Sequence, residues 1–252
     1  MKPSDNSPSA TLSIDGEEIS FTKGQSILQA ALAAGKYIPH LCYHPEFRPN
    51  GSCKLCTVTI NGRPGASCTA QAEAGQTVES DTPEINDKRR TLLQMLLVEG
   101  NHFCPSCEKS GNCMLQALAY ALGVMSPHFP QIFPVRLVDA SHPEILLDFN
   151  RCILCEICVR ASDEVDHKNV FAFSGRGITK HLIVNSESGR LADTDFLSTD
   201  KAAQVCPVGV ILRKRKGFTS PIGSRRFDVK PINEQMERIA EPVGKTSGGS
   251  SP

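Results

Sequence analysis

Residues 42–56 read Cys-Tyr-His-Pro-Glu-Phe-Arg-Pro-Asn-Gly-Ser-Cys-Lys-Leu-Cys, and Cys68 follows at the end of the next loop. Four thiols spaced C-x10-C-x2-C-x11-C match the needs of one iron–sulfur cluster, which takes about four protein ligands, mostly thiolates. Cys53 and Cys56 bracket Lys54-Leu55, a short turn that lets both sulfurs reach one iron with backbone N–H groups facing them. The other seven cysteines form two further sets. Cys104, Cys107 and Cys113 are spaced C-x2-C-x5-C, with His102 just before them. Cys152, Cys155 and Cys158 are spaced C-x2-C-x2-C and are completed by the distant Cys206-Pro207.

Rival uses of so many thiols fare worse. Eleven cysteines cannot all pair as disulfides. The polar, Pro/Ser-rich start from Met1 to Ala10 has no apolar h-region or twin-arginine signal, so a cytoplasmic location is expected, where thiols stay reduced. Structural zinc usually gathers two short ligand pairs around one ion. A three-cysteine run with a remote Cys-Pro fits a cubane cluster better. In two-cluster ferredoxins that run continues to a fourth cysteine and a proline, which serve the other cluster. Ser162 and Asp163 stand at those positions, so one cluster on Cys152, Cys155, Cys158 and Cys206 is expected. The middle set is one ligand short: His102, Glu108, a water or an open iron could complete it. His40 and His44 flank Cys42 and invite a Rieske reading of two His and two Cys. With four cysteines at hand, loop packing or hydrogen bonding beside the ligands is expected of them instead.

Composition narrows the function. The formal net charge is zero, aromatic residues make up 6% and tryptophan is absent, which argues against a nucleic-acid partner. No run approaches the length of a membrane span. Gly244-Lys245-Thr246 imitates the end of a P-loop, yet Ile239 stands where its first glycine belongs. Ser174-Gly-Arg-Gly177 lacks the third glycine of a dinucleotide fingerprint, so neither a nucleotide nor a flavin site is expected. The basic cluster Arg213 to Lys216 suits a solvated face or a docking surface. A chain of 252 residues should form one to three small domains. Being poor in large apolar side chains, it should lean on its clusters as cross-links and, without metal, unfold beyond the first domain.

Local patterns place these sets on elements. A disordered leader is expected over residues 1–10. Thr11 to Ile14 and Glu18 to Thr22 flank Asp15-Gly16, a hairpin signal. Ser26 and Gln29 form a capping box for a helix ending near Gly35. Thr57 to Ile60 leads to Asn61-Gly62, and Gln76 to Ser80 is a last strand. A hairpin, a helix and short strands with four cysteines in the loops resemble the β-grasp fold of [2Fe-2S] ferredoxins, here over residues 11–82. The spacing departs from the plant-type C-x4-C-x2-C. Its long loop looks like the first domain of the large complex I iron–sulfur subunit and of iron-only hydrogenases. Asp81-Thr-Pro83 opens a helix with Leu92, Leu93, Leu96 and Leu97 as its apolar stripe, and Met114 to Leu122 forms the next. Residues 83–145 are thus read as a helical domain with a proline-marked connector, and 146–216 as a small α+β [4Fe-4S] domain. Residues 217–252 are Pro/Gly/Ser-rich and read as an extended tail docking on a partner. The fold class expected is α+β.

The family resemblance extends along most of the chain. In the complex I subunit and iron-only hydrogenases a histidine precedes C-x2-C-x5-C with three residues between. Asn101-His102 matches their Asn-His in a loop shorter by two. The resemblance therefore favours His102, with Cys104, Cys107 and Cys113, as ligands of a [4Fe-4S] cluster. The stretch Glu99-Gly-Asn-His-Phe-Cys-Pro-Ser-Cys-Glu-Lys-Ser-Gly-Asn-Cys113, with Phe133-Pro-Val-Arg136 and Cys206-Pro-Val-Gly-Val-Ile-Leu212, goes further. It is similar to the small diaphorase subunits of soluble NAD-reducing nickel–iron hydrogenases, whose cyanobacterial members carry extra C-terminal cysteines. That resemblance implies one [2Fe-2S] and two [4Fe-4S] clusters and an electron relay with no catalytic site of its own. Its partners would be the nickel–iron hydrogenase small and large subunits and a flavin-containing NAD-binding diaphorase subunit. The equivalent subunit of an NAD-dependent formate dehydrogenase or complex I-like assembly would share these features. A zinc-stabilised scaffold is the alternative from another class.

Overall fold

The structure is a computed structural model that describes residues 10–234. Strands β1 (Ala10–Ile14) and β2 (Glu17–Phe21) meet at Asp15-Gly16, whose φ angles of 53° and 82° suit a tight type I′ turn. Ser26 caps helix α1 (Ile27–Ala33): its hydroxyl accepts the Gln29 N–H at 3.2 Å, and the Gln29 side chain accepts the Ser26 N–H at 2.8 Å. Strands β3 (Thr57–Ile60) and β4 (Arg63–Ala66) turn at Asn61-Gly62 in the same way. Strand β5 (Thr77–Glu79) lies between β1 and β3, giving the order β2-β1-β5-β3-β4 with only the β1–β5 pair parallel. Ile27, Leu28, Ala30 and Ala31 of α1 close this sheet over Leu12, Ile14, Ile19, Val58 and Val78. Cys56 and Cys68 sit inside that core.

Helix α2 (Pro83–Val98) starts at Thr82, whose hydroxyl accepts the Ile85 N–H at 3.3 Å, with proline in its first turn. Its Leu93 is buried while Leu92, Leu96 and Leu97 pack half-buried, and helix α3 (Met114–Ala121) begins right behind Cys113. The buried Arg89 ties α2 to the first domain, donating to the carbonyls of Leu55 (2.9 Å), Ser80 (2.7 Å) and Thr57 (3.1 Å). A second core joins Leu93, Leu115 and Leu118 to Ile145, Leu147 and Phe149, and includes Leu41, Phe47 and Leu55 of the first cysteine loop.

The remaining elements are strands β6 (Val138–Asp139) and β7 (Ile145–Asp148), helix α4 (Ile157–Glu164), the hairpin β8 (Phe171–Ser174) and β9 (His181–Val184), helix α5 (Lys201–Gln204) and strand β10 (Ile211–Arg213). β10, β7 and β6 form an antiparallel sheet in that order. Strand β6 therefore belongs with residues beyond the domain boundary expected at 146. Two residues carry no readable alternation, and only their pairing with β7 reveals the strand. Ser174 to Gly177 lies at the turn of the β8–β9 hairpin, and Gly244 to Thr246 falls outside the described residues. The basic run is partly inward: Lys214 donates to the Ala140 and His142 carbonyls at 2.7 and 2.6 Å.

The tail departs from the extended path expected of it. Residues 217–234 turn back over the middle cysteine loop and include helix α6 (Arg226–Val229). The Phe227 N–H donates to the Gly111 carbonyl at 2.8 Å, and the Arg226 N–H to the Asn112 side chain at 3.1 Å. Ile232 is buried against the α3 core and Phe227 packs beside it. Two apolar side chains in a polar segment are enough to anchor it once hydrogen bonds fix the register. Residues 1–9 of the expected leader, and 235–252, lie outside the described residues. Among the described residues no helix is long and apolar enough to cross a membrane.

Candidate iron–sulfur centres

The first set forms where the β-grasp core meets its loop. Cys42, Cys56 and Cys68 are buried and Cys53 is half-buried. Cys42 accepts hydrogen bonds from Cys53 and Cys68, which hold its thiol far below the ordinary range; Cys53 and Cys68 are correspondingly raised as the donors. Cys56, accepting from Cys68, is lowered to about 7. Sulfurs that share protons in this way converge on one locus. The Cys53 N–H also points at Cys42 Sγ, at 3.5 Å.

The long loop between Cys42 and Cys53 has a second role. Asn50 donates to Glu156 at 2.6 Å, the Arg48 N–H donates to Glu164 at 3.2 Å and Lys201 pairs with Glu46 at 2.7 Å. Phe47 is buried in the second core and stacks on His44 with ring centroids 4.4 Å apart. His44 Nδ1 accepts the Glu46 N–H at 3.3 Å, and His40 Nδ1 lies 2.7 Å from the Ile38 carbonyl. Burial lowers both imidazoles, His44 to about 4. The extra loop residues thus dock the first domain onto α4 and α5, His44 supports that packing through Phe47, and His40 packs within the first domain against Tyr37 and Tyr43.

The third set surrounds the start of α4. Cys155, Cys158 and Cys206 are buried and Cys152 is half-buried. Burial raises Cys152 to about 11 and pushes Cys155 and Cys158 higher, and the mutual repulsion of Cys152, Cys155, Cys158 and Cys206 adds to it. The raised thiols of Cys152, Cys155 and Cys158 need a cationic partner to become thiolates, which bound iron would supply. Leu154 and Glu156 sit in left-handed backbone at φ 53° and 63°, as does Lys54 at 57° in the first set. Each such residue costs about 1 kcal/mol or more, a strain that persists only when the surroundings impose it. The resulting turns aim N–H groups at sulfur: Leu55 at Cys53, Leu154 at Cys152 and Ile157 at Cys155. Ser162, at the place of a fourth run cysteine, is buried and accepts the Val170 N–H at 2.8 Å. Its role is structural.

The middle set lies in the loop between α2 and α3. Cys113 is buried and raised to about 12, while Cys104 and Cys107 are half-buried. His102 is lowered to about 4 by burial and by the Arg151 charge. Its ring bonds the Leu96 carbonyl, whereas its buried Nε2 has no hydrogen-bond partner. A neutral imidazole with one nitrogen fixed by a carbonyl and the other unsatisfied has the electronic state of a metal ligand. Two glycines make room here. A Cβ on Gly100 would lie 2.5 Å from His102 Nε2, and one on Gly209 would lie 2.9 Å from Cys107 Sγ. Arg151 joins this loop to the third set, pairing with Glu108 and Asp148, each at 2.8 Å, and reaching Cys107 Sγ at 3.5 Å. Neither the two glycines nor Arg151 was a sequence candidate: the roles of Gly209 and Arg151 depend on which loop lies opposite, and that of Gly100 on the fold of its own loop, which brings His102 against it.

Among the described residues no group of three or more His, Cys, Asp or Glu is drawn together as for a single metal ion. Fit to polynuclear clusters therefore rests on the donors themselves: thiol sets needing positive charge, N–H groups turned to sulfur, and one orphaned imidazole nitrogen. These features define an iron–sulfur protein in which a β-grasp ferredoxin domain precedes further cysteine-based centres.

Comparison with known proteins agrees along the chain. A 2Fe-2S iron-sulfur cluster binding domain matches residues 7–83, the NADH-ubiquinone oxidoreductase-G iron-sulfur binding region matches 89–128, and a 4Fe-4S single cluster domain matches 145–212. The gamma subunit of the NAD-reducing hydrogenase HoxS of Cupriavidus necator is 38% identical over 225 residues, covering 89% of this chain and 95% of that protein. The G subunit of the NADH-quinone oxidoreductase of Mycobacterium bovis is 35% identical over 91% of this chain, which spans only 28% of that longer protein. A chain in the crystal structure of an NAD+-reducing [NiFe]-hydrogenase in the H2-reduced state superposes with a TM-score of 0.87 at 54% identity, covering 89% of this chain and 96% of that one. The chain belongs to the family of the HoxS gamma subunit, related to the G subunit of complex I, and is an iron–sulfur electron-relay subunit.

Proposed function

We propose that this chain carries electrons between a nickel–iron hydrogenase module and a flavin-containing, NAD-reducing module, with no catalytic site of its own. Its candidate ligands are Cys42, Cys53, Cys56 and Cys68 for one [2Fe-2S] cluster. His102, Cys104, Cys107 and Cys113 would hold one [4Fe-4S] cluster, and Cys152, Cys155, Cys158 and Cys206 another. When bound, such clusters supply one-electron redox chemistry at potentials set by burial, ligand identity and hydrogen bonds to sulfur. The chain's own residues bury the thiols, turn N–H groups to them and lock the three loops together. The observation that carries the reading is the full-length similarity to the hydrogenase protein, coupled with the orphaned Nε2 of His102 beside a three-cysteine loop. The same similarity supports, as part of this proposal, a cytoplasmic assembly with the hydrogenase small and large subunits and the diaphorase subunit.

The test is isolation of the native assembly, with its polypeptides identified by mass spectrometry and its iron counted. About ten irons per chain are expected for one two-iron and two four-iron clusters. The isolated chain should neither oxidise hydrogen nor reduce NAD, and recombination with its partners should restore hydrogen-dependent NAD reduction. Tightly bound flavin or nickel in the isolated chain would refute the relay role. A colourless zinc protein would refute the clusters.

A further inference from the structure

The first and third cysteine sets meet at one side chain. Arg160, on α4, donates through Nη2 to the Cys42 carbonyl at 2.7 Å and to the Cys155 carbonyl at 3.3 Å. Its Nη1 donates to the Arg48 carbonyl in the long first-domain loop, and its Nε to the Glu156 carbonyl at 3.4 Å. Cys42 and Cys155 also lie close enough for their charges to interact. All four acceptors are neutral main-chain oxygens, so none of them cancels the guanidinium charge. Arg151, at the seam between the middle and third sets, differs in this respect because Asp148 and Glu108 both pair with it at 2.8 Å. The glutamates four residues before and after it are engaged elsewhere, Glu156 with Lys180 at 3.0 Å and Glu164 with Arg48 at 3.3 Å, and Asp163 on the same helix forms no ion pair with Arg160 among the described residues.

We propose that Arg160 is a positioning residue shared by the first and third clusters, holding the Cys42 and Cys155 loops at a fixed spacing and favouring the reduced form of both centres. The proposal rests on the cluster reading given above. Reduction adds one negative charge to a cluster, and a cation bonded to a ligand residue's own peptide stabilises that added charge. A planar fork reaches two carbonyls from one fixed position, which a lysine ammonium on a flexible stem does not reproduce. Residue type therefore controls the spacing and charge controls the potential, so the two roles are separable.

The experiment compares Arg160→Gln and Arg160→Lys with the wild type in the intact native assembly. Iron is counted, midpoint potentials are followed by EPR in a redox titration, and magnetic coupling between the first and third clusters is read from the reduced spectrum. For Arg160→Gln, both of those midpoints should fall while the middle cluster's stays in place. In Arg160→Lys the two potentials should stay nearer the wild type while the coupling weakens. Loss of iron from the first and third sites with the middle site loaded would also support the shared role. Unmoved potentials and coupling, a shift in one of the two clusters alone, or equal effects on all three would overturn it. If the wild type itself lacks these cluster signals, the cluster reading fails instead.

Discussion

At the scale of single residues, the middle set turns on two glycines and one imidazole. Replacing Gly100 with alanine would drive a methyl group to 2.5 Å from His102 Nε2, with the Asn150 carbonyl behind it at 3.1 Å. Gly100→Ala should therefore reproduce the phenotype of His102→Ala, a labile cluster decaying towards a three-iron form under air. His102→Cys should keep four irons and lower the potential, because a thiolate adds negative charge where the imidazole is neutral. EPR and iron analysis of the three variants check this; an air-stable cluster in His102→Ala with an unchanged spectrum would place the fourth ligand elsewhere. Gly209→Ala acts on Cys107 from the opposite side. Its methyl group would crowd the sulfur at 2.9 Å, and iron should be lost from the middle site with the β-grasp cluster retained, as read from the two EPR signals.

At the scale of elements, the C-terminal segment alters what truncation should do. Read from composition as a partner-docking tail, the segment could be cut after Gly217 with cluster content intact and only the complex weakened. In the structure Arg225 packs on Gly111, where a Cβ would meet it at 2.3 Å, and bonds Ser110 at 3.2 Å. Phe227 and Ile232 seal the same side of α3. Hydrogen bonds from two main-chain N–H groups, Phe227 to the Gly111 carbonyl and Arg226 to the Asn112 side chain, and two apolar anchors contribute a few kcal/mol at most, roughly 1 kcal/mol per bond and about 2 kcal/mol per buried side chain. That is enough to order the Cys107–Cys113 loop but too little to hold the whole molecule together. Truncation after Lys216 should thus speed loss of iron from the middle cluster several-fold under chelator, leaving the first cluster's visible circular dichroism unchanged. Equal retention in both proteins would show that the segment is only a tail. Phe218, Ile222 and Val229 remain exposed on it and suit the partner contact proposed for this region.

At the scale of the whole molecule, two cores of different character predict uneven dependence on metal. The β-grasp core is built mainly of aliphatic side chains, Leu12, Ile14, Ile27, Leu28 and Val78 among them, with Cys56 and Cys68 as its two cysteines. The second core is threaded by Cys113, Cys155, Cys158 and Cys206, around strands only two to four residues long. Removing iron leaves the thiols of Cys113, Cys155 and Cys158 buried, and burial disfavours their thiolate forms. Hydrogen exchange after chelation should show the amides of β7, α4 and β10 losing protection while those of β1, β2 and β3 keep it. Uniform loss across both regions would mean that the first domain also folds only with its metal.

Much of this was legible in the chain alone, wherever the information was local. The Asp15-Gly16 and Asn61-Gly62 turns, the Ser26/Gln29 capping box and the Thr82-Pro83 helix start each depend on residues within a few positions of one another. So do the cysteine spacings, because a short turn between two thiols is itself the binding geometry. The sequence could not show β6, the fold-back of residues 217–234, the clearances at Gly100 and Gly209, or the reach of Arg160 to Cys42 and Cys155. Apart from β6 and Gly100, which are set by how a nearby loop folds, those depend on which distant loop is brought opposite. Hydrogen bonds and close contacts across more than 100 residues of sequence separation have no periodicity to betray them. The residues themselves determined three cysteine-rich ligand sets in an α+β frame. Tertiary packing alone decided that the three cysteine loops share seams, with a long loop docking one domain on another and an arginine that, among the described residues, bonds only main-chain carbonyls between two of those loops.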